Sequence, residues 1–153
     1  MAVHEPSELV AIDPATARIV ARYPLPGTKE PHGVSLDARQ GLAFVAGQAN
    51  GTLAVFDLTR KKVLATHGVG ESPDVLAFDP GLGRLYVSSE SGTVSVFKER
   101  GKELVSEGEM VMAHAHTVCV DPATHLVYFP LENLDDHPIL RIMEPSQTPA
   151  TGR

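Results

Sequence analysis

Tryptophan is absent and cysteine occurs once, at Cys119, so no disulfide can form within the chain and no Cys-x-x-Cys-His haem attachment exists. Cys119 falls in an apolar run and is expected to be a small buried thiol, inert in such surroundings. No apolar stretch reaches the roughly 18 residues of a membrane span. Thirteen basic residues against nineteen acidic ones give a net charge of −6, with no block of like charge. That balance lacks the basic footprint of a nucleic-acid binder. The opening Met1-Ala2-Val3-His4-Glu5-Pro6 has neither the basic nor the apolar segment of a signal peptide, and the compartment stays open. Catalytic signatures are missing too. No Gly-x-Ser-x-Gly elbow, phosphate loop or His-Glu-x-x-His is present.

What is there is a period. Asp37, Asp79 and Asp121 lie 42 residues apart, each closing a similar apolar run. The runs begin at Pro31, Pro73 and Ala115. Seven residues past each Asp comes an aromatic, at Phe44, Tyr86 and Tyr128, flanked by apolar neighbours. Gly41 and Gly83 mark the turn between the two runs, and His125 stands there in the third copy. A third run follows at Thr52–Asp57 and Thr93–Phe97, and a more polar fourth at Lys62–His67 and Lys102–Glu107. Short β-branched and aromatic runs joined by Asp, Gly and Pro turns are antiparallel hairpins.

Four short strands per 42 residues is the period of a β-propeller blade. Twelve prolines, thirteen glycines and no helical periodicity agree with an all-β chain. Rising polarity predicts a first strand that lines the core and a last that faces solvent. One domain over 1–153 is expected: a half blade at 8–23, blades at 31–67 and 73–107, an incomplete blade at 115–143 and a polar tail at 144–153. That is about 3.5 blades in thirteen strands, too few for a ring of four. An incomplete ring leaves exposed edges and faces. Self-association, or the remainder of a larger propeller, is the partner this predicts.

The run Leu85-Tyr86-Val87-Ser88-Ser89, followed by Gly92-Thr93-Val94-Ser95-Val96-Phe97, resembles the YVTN-type repeat. Without Trp or a Gly-Gly pair, neither the Trp-Asp nor the kelch signature exists. Val55-Phe56-Asp57 and Val69-Gly70-Glu71-Ser72-Pro73 continue the pattern, which covers roughly residues 8 to 143. It departs at Ser88-Ser89, where the family has Thr-Asn, and in a longer loop at 132–138. The resemblance implies a bacterial propeller, often periplasmic or extracellular and of undefined activity.

Loops before the first strand and after the second should emerge near the axis on one face. His32, Asp74 and His116 share one repeat position there, and Gln48, Glu90 and Glu132 share another. Such a polar ring suits a divalent cation or a small polar ligand, the plainer reading being a solvated channel mouth. His114 and His116 have the His-x-His spacing that would put both imidazoles on one strand face, a weak metal motif beside Met110 and Met112. His125 and His67 are expected to be exposed. The repeating aspartates are expected to bond their own turns.

The leading function is a non-catalytic binding or interaction scaffold for a protein or small polar ligand. The alternative is a metal-dependent, lactonase-like hydrolase with a divalent ion at the axial face. Asp74, Glu90, Glu132 and Asn133 are available for it, but the resembling family's motif is not matched residue by residue. A third reading places copper or haem near the axial histidines.

Overall fold

The computed structural model describes residues 1–146, so the tail expected at 144–153 lies mostly outside the described residues. It is all-β. Fourteen strands form four antiparallel sheets of three or four strands, arranged as the blades of a partial propeller. Sheet one holds β1 Ala2–Val3, β2 Glu8–Asp13 and β3 Arg18–Pro24. Sheet two runs β4 Pro31–Asp37, β5 Leu42–Gly47, β6 Thr52–Asp57 and β7 Lys62–Gly68. Sheet three repeats it with β8 Pro73–Asp79, β9 Arg84–Ser89, β10 Thr93–Arg100 and β11 Glu103–Val111. Sheet four has β12 Cys119–Val120, β13 Val127–Leu134 and β14 His137–Met143. The only helical element among the described residues is a 3₁₀ turn, Gln48–Asn50.

Turn chemistry explains the spacing. Asp37 Oδ1 accepts from the Arg39 amide at 2.9 Å, and Asp79 Oδ1 from the amides of Gly81 and Leu82 at 2.8 and 3.0 Å. Asp121 does the same for Ala123 and Asp57 for Thr59. Each is an Asx turn that reverses the chain into the next strand. The turn then needs a left-handed residue, and Gly41, Gly83 and His125 take φ of 67°, 57° and 64°. Glycine meets this without cost, and His125 meets it while gaining a bond described below.

Sheets pack face to face through three apolar clusters. Leu9 and Leu25 of the first meet Ala43, Val45 and Phe56 of the second. Phe44 and Val55 on the other face of the second meet Leu76, Phe78 and Phe97 of the third. Tyr86 and Val96 then meet Val118, Val127 and Phe129 of the fourth. Because successive residues face opposite sides, one strand serves both neighbours. All six residues of β5 are buried for that reason.

Four expectations need correction. The first strand is not the best covered: β4 is part-exposed, while second and third strands are buried on both faces. Strand β1, a two-residue element, adds a strand to the half blade expected at 8–23. In the fourth sheet the first strand shrinks to Cys119–Val120, since residues 115–118 leave the ladder. Cys119 is exposed, not buried. Its equivalents Ser35 and Ala77 lie toward a following sheet, and among the described residues no sheet follows the fourth.

Candidate functional site

Inner strands β4 and β8 begin on one rim of the arc and end on the other, so the repeat segregates their polar ends. On the starting rim, His32, Asp74 and His116 do come together. His32 Nε2 lies 3.0 Å from Asp74 Oδ1, and His116 Nδ1 lies 3.3 Å from Asp74 Oδ2. His116 Nε2 reaches Glu132 Oε1 at 3.1 Å. At the other end, His4 Nε2 sits 3.3 Å from His32 Nδ1, with the rings 5.5 Å apart. The result is one polar line, His4–His32–Asp74–His116–Glu132, drawn from all four sheets.

Backbone approach sets its geometry. Gly33 presses β4 against β8 so closely that a Cβ there would fall on the Asp74 carbonyl oxygen. Only glycine allows the two inner strands this distance. Hydrogen bonds to Asp74 first, then to Glu132, raise the His116 pKa. They favour the imidazolium over the neutral ring.

Glu90 joins the rim without bonding into the line. With His114, His116 and Glu132 it borders a cleft of about 520 Å³. Gln48 stays apart: its backbone N–H donates to the Glu30 carbonyl at 3.1 Å, and among the described residues no hydrogen bond joins it to the line. The His-x-His expectation fails in its geometry. Residues 113–114 form a turn and 115–116 lie outside any strand, and His114 adopts φ 65°, so the pair does not share a strand face. Among the described residues no three His, Cys, Asp or Glu side chains converge as ligands of one ion. The donors lie in a row, each spent on its neighbour. A divalent ion does not fit this arrangement as it stands.

His4 escapes the repeat because its sheet lacks a first strand. A signal exists nonetheless: His4 lies nine residues before Asp13, as Gln48 lies nine before Asp57. Both follow the second strand of their sheets.

The opposite rim carries cross-sheet pairs. Asp79 Oδ2 and His125 Nδ1 are 2.8 Å apart, and Lys102 Nζ donates to Asp57 Oδ2 at 2.8 Å. That lysine, with turn amides, holds Asp57 down at about 2. His125 is therefore a half-buried partner, not a free surface group. His67 is half-buried as well, packed on Phe97, and burial lowers its pKa.

The chain is thus a propeller-type arc with a polar line along one rim. No family model matches it, and no curated protein matches it. Solved structures do, at identities that show the fold alone. Hydrazine synthase of Kuenenia stuttgartiensis aligns over 90% of this chain and 40% of its own, with TM-score 0.76 and 14% identity. A putative 6-phosphogluconolactonase of Bacteroides fragilis aligns over 92% and 44%, with TM-score 0.71 and 13% identity. The dihydro-heme d1 dehydrogenase NirN aligns over 87% and 32%, with TM-score 0.62 and 18% identity. The chain spans less than half the length of each.

Proposed function

We propose that this chain is a non-catalytic binding module whose polar rim holds a small, positively charged ligand. The observation that carries this is the line His4–His32–Asp74–His116–Glu132, continuous across four sheets and open to solvent. Asp74, Glu90 and Glu132 set three carboxylates on this rim. An ammonium or guanidinium group entering the cleft beside Glu90 would gain charge-assisted hydrogen bonds from Glu90 and Glu132. Thr117 Oγ1 lies 3.4 Å from His116 Nδ1, but that nitrogen also faces Asp74 Oδ2 at 3.3 Å. The ring is engaged by carboxylates on both sides, which favours recognition over reaction.

The hydrolase reading draws on the likeness to the putative 6-phosphogluconolactonase, a likeness of fold. It would require Asp74 and Glu132 to leave their present partners and converge with Glu90 on an ion. One experiment separates the two. Imidazole signals are followed by NMR while putrescine, agmatine, Mg²⁺ or Mn²⁺ is added, with a lactone-hydrolysis assay on the same samples. Binding of an amine or guanidine, lost in the Glu90→Gln/Glu132→Gln double variant, supports the module. Lactone turnover that depends on the metal would overturn it.

A further inference from the structure

We propose that two copies of this chain join head to tail, the fourth sheet of each packing on the first sheet of the other, to close one ring of eight sheets. The repeat itself says what covers the free faces. In the third sheet, Ala77, Tyr86 and Val96 lie side by side across the strands and are buried against the fourth. Forty-two residues on, Cys119 and Tyr128 occupy the same places, and Ile142 pairs with Tyr128 as Val96 pairs with Tyr86. This face ends in the open: Ile142 is 53% and Leu140 58% exposed. It is a forward face built like its buried equivalents.

The mate is on the first sheet. In the second, Phe56 pairs with Val63 on the face packed against the first sheet. The corresponding pair in the first sheet is Ile12 and Ile19, exposed by 42% and 46%. A forward face and a rear face are what meet at every joint inside the chain, so one copy carries both halves of the missing joint. Two copies related by a two-fold axis form both joints at once, and eight blades lie within the range of closed propellers.

The rim agrees. Its polar line begins with an imidazole, His4, on the first sheet and ends with a carboxylate, Glu132, on the fourth. Closure would set the partner's His4 on the same rim as Glu132, a base facing a carboxylate as His32 faces Asp74. The joint stands whether or not the rim binds a ligand.

Cys119 reports the joint directly, being the single thiol and lying on the forward face. Light scattering of the chain should give twice its mass at about 100 µM, well above micromolar dissociation constants. Maleimide labelling of Cys119 should be at least about tenfold slower there than after dilution to the monomer, since a buried thiol is inert. Ile142→Asp and Ile12→Lys alter positions that are solvent-exposed in the single chain, so each should fold. Each alone should be monomeric with a fast-reacting Cys119. Mixed, they should restore the double mass, because one joint then carries opposite charges and the other is native. A wild-type monomer at that concentration, a dimer whose Cys119 still reacts at the dilute rate, or a mixture that stays monomeric would each overturn the proposal.

Discussion

Asp37 and Asp79 occupy the same turn one repeat apart, yet their outer oxygens meet opposite chemistry. Asp79 Oδ2 has His125 Nδ1 at 2.8 Å, whereas Asp37 Oδ2 is buried without a donor and faces Glu99, whose Oε1 is also unpartnered. Burial first, then the Asp37 carboxylate, push the Glu99 carboxyl up to about 7, against smaller pulls from Arg39 and Lys98. A raised acid stabilises the fold most below its unfolded value, near 4.5, and that stability drains as pH climbs to about 7. Glu99→Gln removes the titration. It should stabilise the protein at pH 8 by about 1 kcal/mol, a figure discounted for solvent screening, and do much less at pH 4.5. Urea unfolding of both proteins at the two pH values measures this, and a gain that does not change with pH would contradict it. The sibling pair predicts the converse. His125→Ala leaves the fully buried Asp79 oxygen without its imidazole and should cost about 1–3 kcal/mol.

At the scale of strands, the rim depends on how closely β4 lies to β8. Gly33→Ala must separate them, because the new methyl meets backbone rather than a movable side chain. The expected cost is about 1–3 kcal/mol by urea unfolding, and the imidazole NMR spectrum should no longer show His32 paired with Asp74. A pairing that persists in this variant would show that the strands do not need the glycine. Asp74→Asn tests the electrostatics without the steric change. It should return the His116 pKa toward its ordinary value, read by NMR titration, because Asp74 is the largest cause of its rise. The sequence made the central strands legible because Asp turns and alternating apolar runs repeat there, and β4 to β10 fall where the 42-residue spacing puts them. It also placed His32, Asp74, His116 and Glu132 on one rim, since equivalent positions are related by the sheet-to-sheet rotation. What it hid were the features that break the repeat. Strand β1 is too short to show alternation, Cys119 is buried by pattern but sits on a terminal face, and His4 belongs to a sheet with no first strand. His125 reads as a displaced glycine because its partner, Asp79, is 46 residues away.

For the whole molecule, burial falls from the middle of the arc to its ends. Strands β5 and β9 are almost wholly buried between two neighbours, while β3 and β14 are exposed along most of their length. Amide exchange requires opening, and opening is easiest where few apolar contacts must be broken. In dilute protein, β5, β6, β9 and β10 should therefore exchange slowest and report global unfolding. Amides of β2, β3, β13 and β14 should exchange faster, by local release of the end sheets. Raising the concentration discriminates between an arc that stays open and one that closes on a second copy. Closure stabilises by mass action and acts first on the elements at the joint. Amides of β2 and β13 should slow as concentration rises, while amides of β5 and β9 hold the rate set by global unfolding until that too rises with dimer stability. Hydrogen–deuterium exchange by mass spectrometry at about 1 and 100 µM spans the micromolar range in which association of this strength would appear. End sheets whose exchange is the same at both concentrations would mean that their free faces stay in water and that no second copy covers them.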